Sequence, residues 1–241
     1  MALIARLVAP AKLTLSLRMT GLREDGYHLI DAEMVSLSLA DEIELSEGSG
    51  VEVIDESSGD GLPIPLAGDN SVSRALALCG RQAHVVIRKR IPAGAGLGGG
   101  SADAAAVLRW AGIRDTRRAA SIGADVAFCV IGGRARVGGV GDIVESLPYS
   151  KRSYTLLTPP FGCATPAVYR KWDDLGGPQG DYGNDLEAAA LALEPRLARY
   201  RDELAAATGV RPRLAGSGST WFVEGAFPGP GQVVVTAVEA S

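Results

Sequence analysis

The chain has 241 residues, 46% of them hydrophobic and 22% charged, with a formal net charge of −4. That length suits one large domain or two small ones, and the acidic balance argues against a nucleic-acid binder with a basic footprint. Cys79, Cys129 and Cys163 have no ligand spacing and read as free thiols, and no stretch has the ~18 apolar residues of a membrane span or the start of a signal peptide, so a soluble, cytoplasmic protein is expected.

Residues 12–17 alternate, with Leu13, Leu15 and Leu17 on one side and Lys12, Thr14 and Ser16 on the other. This period predicts a half-buried strand with Lys12 and Thr14 on one face. Arg23-Glu24-Asp25-Gly26 predicts a turn, and residues 29–39 and 41–45 two further strand segments. Residues 55–69, rich in Gly, Pro and Ser, predict a surface loop, and residues 70–79 a short helix. A strand over 84–88 runs through Lys89, Arg90 and Ile91 into Pro92-Ala93-Gly94-Ala95-Gly96-Leu97-Gly98-Gly99-Gly100-Ser101-Ala102. An alanine-rich helix over 102–111 follows, stopped by Gly112. Residues 116–122 predict another short helix, and the glycines at 132, 133, 138, 139 and 141 predict tight turns between strands.

Near Pro148 the character changes. A strand is expected over 154–157, then a helix with Thr165 as N-cap and Pro166 at its first position. Asn184 reads as a further N-cap, with Glu187 in capping-box position. A helix over 196–207 closes at Gly209, and late strands are expected over 213–222 and 232–238. A domain boundary is therefore expected near residue 148, dividing 1–147 from 148–241.

A strand, a run of glycines and a helix opening at a serine make a legible phosphate site. Glycine lets the backbone reach positive φ and approach an anion closely. Successive N–H groups then converge on phosphate oxygens, helped by the positive end of the next helix. Ser101 fits that helix's N-cap, or turns its hydroxyl to a phosphate or Mg²⁺. The stretch is not a Walker A motif, because no Gly-Lys-Ser/Thr follows, and Gly94, Gly96 and Gly99 lack the context of a dinucleotide site. The bland alternative is a flexible connection. Asp103, in the first turn of the helix, either faces away from bound phosphate or helps hold a cation.

Phosphoryl transfer to a hydroxyl needs a group that orients or deprotonates the nucleophile, and positive charge where negative charge gathers. Asp125 precedes the apolar run 126–130, where a lone carboxylate is costly unless paired. Lys12, on the polar face of the first strand, is its candidate partner. Taken alone, Lys12 reads equally as a solvated edge residue and Asp125 as an N-cap.

Four blocks together resemble the GHMP kinase superfamily. They are Pro10-Ala11-Lys12-Leu13-Thr14-Leu15 with Gly21 to His28, the glycine stretch within 91–108, Gly123-Ala124-Asp125-Val126 with the glycines behind it, and Asn184-Asp185-Leu186-Glu187 with Ala215 to Thr220. They span nearly the whole chain in family order. The resemblance implies an α+β, two-domain GHMP kinase fold, with a ribosomal protein S5 domain 2-like N-terminal domain, a ferredoxin-like C-terminal domain and the active site between them. It implies an ATP-dependent small-molecule kinase working with Mg²⁺, Ser101 being the metal-ligand candidate. By position, it makes Lys12 and Asp125 the catalytic pair and residues 92–102 the ATP-phosphate loop. Gly216, Ser217, Gly218 and Ser219 become a loop that closes over the phosphates.

The Asp25-Gly26-Tyr27-His28 block narrows the acceptor to a cytidine diphosphate-linked alcohol. Tyr27 and His28 would hold the cytosine, with Tyr169 on its other side. Thr14, where the family usually has asparagine, would lie by the reacting hydroxyl. The stretches before the glycine loop and before Asp125 are shorter than usual, and residues 227–231 stand where a helix is expected. A kinase for another small alcohol and a non-catalytic nucleotide-binding homologue stay open, as do a core role for Tyr27 and a turn role for His28. No nucleic-acid or membrane partner is expected.

Overall fold

A computed structural model describes residues 2–57 and 70–240. Most of the loop expected over 55–69 therefore lies outside the described residues. Strand β1 (Leu3–Leu22) folds back through the Arg23–Asp25 turn onto β2 (His28–Ser46). β3 (Gly50–Asp55), helix α1 (Ser71–Cys79), β4 (His84–Lys89) and α2 (Gly99–Trp110) come next. The same half closes with α3 (Thr116–Ala120), α4 (Ala124–Ile131), β5 (Arg134–Gly139) and β6 (Ile143–Leu147).

The first sheet runs β3-β4-β2-β5-β6, with β1 paired to β2. One edge of β2 carries β1 along nearly its whole length, while residues 30–35 of the other edge pair with β5 and residues 42–46 with β4. β3 and β4 are parallel, and every other pairing of this sheet is antiparallel. The two expected segments 29–39 and 41–45 are thus one strand. Asp41 is held inside it by partners far along the chain.

The later half contains β7 (Ser153–Leu157), α5 (Thr165–Asp174), α6 (Glu187–Leu193) and α7 (Leu197–Thr208). It ends with β8 (Arg213–Leu214), β9 (Trp221–Glu224) and β10 (Gln232–Thr236). These strands form a four-stranded antiparallel sheet in the order β10-β7-β9-β8. The single strand expected over 213–222 is split, because Gly216 and Gly218 take positive φ and turn 215–220 into a loop. The two sheets touch where Leu37 bridges Ala237 and Val238 N–H donates to the Ser36 carbonyl. Among the described residues no helix is long and apolar enough to cross a membrane.

β1 is not half-buried as its alternation predicts. Lys12 and Thr14 are as enclosed as Leu13 and Leu17, because their face is covered by the glycine loop and the 215–220 loop. The covering helix α2 is buried on every side over residues 102–108, with Asp103 the one charged group enclosed there. Its alanines allow close approach to β1, α1 and α4. α2 begins earlier than expected, at Gly99, with Gly98 as N-cap at φ +69°. Ser101 is therefore inside the first turn and is not the N-cap.

One other expected cap is displaced by a tertiary partner: α5 is capped by Ala164, and the Thr165 hydroxyl pairs with Ser217 instead. α6 starts at Glu187, and Asn184 stands before it with its side-chain oxygen accepting the Leu186 N–H at 2.9 Å, while its amide nitrogen reaches the 214–216 backbone.

Candidate active site

One cavity of about 930 Å³ runs between the two sheets' loops. It is lined by Lys12, Thr14, Tyr27, His28, residues 92–101, Asp125, Tyr169, Gly216 and Ser217, so the sequence-predicted residues converge on one place. Ala102, Gly218 and Ser219 do not line it. Ala102 is buried inside α2, and Ser219 is fully buried with its hydroxyl unpartnered.

The phosphate-loop candidate is shaped by what lies against it. Gly96 takes φ +78°, and a Cβ there would collide with the Ala215 and Gly218 carbonyls. The loop is further tied by Thr220 N–H to the Ala95 carbonyl (3.1 Å) and by Lys12 N–H to the Leu97 carbonyl (3.0 Å). Gly98 lies over the Lys12 side chain, Gly99 beside Lys89 Nζ and Ile91, and Gly100 toward Ser71. The loop therefore has a polarity, running from Lys12 at Gly98 toward α1 at Gly100.

Lys12 Nζ is 3.3 Å from Asp125 Oδ2 and donates to Thr14 Oγ1 at 3.0 Å. Asp125 is at the second position of α4, not at its cap, which is Gly123. A carboxylate there is favoured by the helix dipole, and it is about one-third exposed to the cavity. Lys12 is not a solvated edge residue, since its side chain is only 6% exposed. Gly216 closes this end: a Cβ on it would be 3.4 Å from Lys12 Nζ and 3.5 Å from Thr14 Oγ1. The Asn184 amide nitrogen donates to the Leu214 and Gly216 carbonyls at 2.9 and 2.7 Å and holds that loop in place.

Beneath the loop is a buried cluster that the sequence did not reveal. Lys89 Nζ bridges Asp41 Oδ2 and Asp103 Oδ2, the latter at 2.7 Å. The other oxygen of Asp41 accepts the N–H groups of Arg90 and Ile91 at 2.6 and 2.8 Å. Asp41 thus ties the strand entering the glycine loop to the helix leaving it. Burial pushes the Asp103 carboxyl up to about 7, against the pull of Lys89 and with the like charge of Asp41 adding to the rise. Burial lowers Lys89, but its two carboxylates outweigh this and its pKa is raised. One oxygen of Asp103 is therefore committed to Lys89, while the other has no hydrogen-bond partner.

At the opposite end, His28 Nε2 pairs with Asp173 Oδ1 at 2.8 Å. Its ring centroid is 5.2 Å from Tyr169 and 5.5 Å from Trp172. His28 is not satisfied within its turn, and Tyr27, 62% exposed under the Arg23 guanidinium, is not a core residue. Burial, and then the charge of Asp125, push the Tyr169 phenol up. Asp173 and Trp172 lie some 145 residues from His28, a separation no local motif spans. Burial raises all three thiols, Cys129 to about 12 and Cys163 to about 11, which disfavours the thiolate form.

Among the described residues no cluster of three or more His, Cys, Asp or Glu could hold a metal ion. The donors facing the cavity instead fit an ion that arrives on phosphate oxygens, as Mg²⁺ does with few protein ligands. The Ser101 hydroxyl, in the first turn of α2, is the candidate donor beside the loop.

The GHMP kinases N terminal domain model matches residues 70–133. A 4-diphosphocytidyl-2-C-methyl-D-erythritol kinase of Paracoccus denitrificans (strain Pd 1222) is 38% identical, with 92% of this chain and 87% of the relative covered. One from Cereibacter sphaeroides (strain ATCC 17025 / ATH 2.4.3) is 34% identical, covering 97% and 94%. A crystal structure of 4-(cytidine 5'-diphospho)-2C-methyl-D-erythritol kinase superposes with a TM-score of 0.74 at 29% identity, covering 97% and 99%. A homoserine kinase from Cytophaga hutchinsonii shares the fold, with a TM-score of 0.56 at 17% identity over 98% and 94%.

Proposed function

This chain belongs to the 4-diphosphocytidyl-2-C-methyl-D-erythritol kinase family of GHMP kinases, with their α+β fold and ATP-dependent kinase chemistry, and on that premise we propose its reaction and the roles of its residues. It transfers the γ-phosphoryl group of ATP to the 2-hydroxyl of 4-diphosphocytidyl-2-C-methyl-D-erythritol. The observation that carries this reading is the Lys12–Asp125 pair, 3.3 Å apart, in the same cavity as the glycine loop and the His28–Asp173–Tyr169 cluster.

The triphosphate lies on the N–H groups of residues 93–101, with its terminal phosphoryl at the Gly98 end, where Lys12 waits beneath. Its nucleoside then leads toward Ser71 and α1. Asp125 aligns the acceptor hydroxyl and takes its proton, while Lys12 offsets the charge gathering on the transferred group. Thr14 fixes the Lys12 ammonium. Tyr27, His28 and Tyr169 hold the cytosine, and Gly216 and Ser217, the part of the 216–219 loop that lines the cavity, close over the phosphates. Ser101 would hold a Mg²⁺ carried by the nucleotide, which would supply positive charge to the phosphate oxygens when bound. The transfer is in line and direct, and its rate comes mainly from positioning and electrostatics.

We also assign residues 1–147 and 148–241 to two domains, since each sheet draws its strands from one of these ranges. A cytoplasmic location suits the three free thiols.

The test is ADP release, measured with the cytidine substrate and with a panel of small alcohols that lack cytidine. Release that depends on the cytidine substrate is expected. Turnover of a small alcohol with none on the cytidine substrate would replace this acceptor, and nucleotide binding without any transfer would remove the kinase assignment.

A further inference from the structure

The basic side chains that line the cavity are Lys12, His28, Arg74, Lys89 and Arg170. Four of them are already engaged: Lys12 by Asp125 and Thr14, His28 by Asp173, Arg74 by the Ile122 carbonyl, and Lys89 by two aspartates. Among the described residues the Arg170 guanidinium has no hydrogen-bond or ion-pair partner. Its neighbour Asp173 does not supply one, because that carboxylate is turned to His28.

The position of this free charge follows from the helix that carries it. Pro166, Tyr169, Arg170 and Asp173 all line the cavity, the i, i+3, i+4, i+7 spacing of one helical face. Asp173 marks the base-holding end through His28. At the other end of α5, Thr165 Oγ1 pairs with Ser217, next to the Gly216 that covers Lys12 and Thr14. At 1.5 Å per residue, Arg170 is about 5 Å along the axis from Asp173 and about 7 Å from Thr165. It therefore stands between the two ends of the site.

An acceptor with a cytosine at His28 and a reacting hydroxyl at Asp125 must carry its diphosphate between them. We propose that Arg170 binds the diphosphate of the acceptor and so sets the distance between the held base and the reacting hydroxyl. This inference rests on the acceptor assigned above. Arginine is suited to the task, since its planar fork meets two phosphate oxygens at once and its charge does not titrate. A charge left unpaired in a cavity mouth and aligned with the anionic part of the ligand contributes selectivity for the diphosphate over the bare nucleoside.

The test compares the full-length parent with Arg170→Ala and Arg170→Lys. Acceptor and ATP saturation are measured in steady state, and CDP and cytidine are titrated directly by calorimetry. A charge-assisted contact at a partly exposed site is worth roughly tenfold. In Arg170→Ala the acceptor KM should rise about that much, kcat should fall less than KM rises, and the KM for ATP should stay put. CDP should bind roughly tenfold more weakly to this variant while cytidine binding holds, with Arg170→Lys recovering most of the difference. Equal losses for CDP and cytidine, or an unaltered acceptor KM, would overturn the inference, and a rise confined to the ATP KM would move Arg170 to the nucleotide instead. If the parent does not turn over the cytidine substrate, the acceptor assignment fails first. The calorimetric comparison of CDP with cytidine then still decides on Arg170.

Discussion

Asp103→Asn should make the protein less sensitive to rising pH, and the size of the effect follows from the buried cluster. Asp103 is almost fully buried, pairs through one oxygen with Lys89, and leaves its other oxygen without a hydrogen-bond partner. Burial, with Asp41 as a like charge, raises its carboxyl from 3.8 to about 7. A carboxyl whose folded pKa lies above its unfolded value binds more protons in the native state between the two. Its contribution is therefore full below the unfolded pKa and is lost as pH climbs toward 7. At about 1.4 kcal/mol for each pKa unit, the whole range amounts to about 4 kcal/mol, and the part between pH 5.5 and 7 to about 2 kcal/mol. Asparagine has no proton to lose and can still accept from Lys89. Urea unfolding followed by circular dichroism at pH 5.5, 6.5, 7.5 and 8.5 should show the parent losing about 2 kcal/mol relative to the variant by pH 7.5. Parallel pH curves for the two proteins would refute the reasoning.

Asp41→Ala should be the more damaging change in the same cluster. It strips two buried N–H groups of their acceptor and leaves Lys89 with one carboxylate, for a loss of about 3 kcal/mol and a fall in Tm of roughly 6–12 °C. Thermal unfolding checks it, together with a raised KM for ATP, because the entry to the glycine loop is no longer held. Gly96→Ala and Gly112→Ala separate backbone strain from collision, since both positions have φ +78°. Only Gly96 faces backbone carbonyls, whereas nothing lies within 4 Å of a Cβ at Gly112. Gly112→Ala should cost about 1–2 kcal/mol in urea unfolding, and Gly96→Ala visibly more, with weakened ATP binding.

The parts of the fold legible in the sequence were those set by local rules. The period of residues 12–17 put Lys12 and Thr14 on one face, and the glycine stretch between β4 and α2 declared itself by composition. The errors have a common physical origin. Thr165 has the chemistry of a cap, but Ser217 offered its hydroxyl a tertiary partner, and the cap passed to Ala164. Asp41 gave no sign of its part in tying the glycine loop, because its partners, Lys89, Arg90 and Ile91, are some fifty residues away. Ser101 seemed the start of α2 because the glycines before it are poor helix formers, yet Gly99, packed over Lys89 and Ile91, and Gly100, facing Ser71, are already helical. The same distance in sequence hid Asp173 and Trp172 from His28, and Arg170 from the cavity it enters.

The most direct measurement is the rate of ADP release with saturating cytidine substrate in Asp125→Asn beside the parent, with circular dichroism confirming that both are folded. If the carboxylate 3.3 Å from Lys12 aligns and deprotonates the acceptor hydroxyl, kcat should drop by about 10²–10⁴-fold while the substrate still binds. A folded variant that turns over within about threefold of the parent would contradict the role given to Asp125 and to the site built around it.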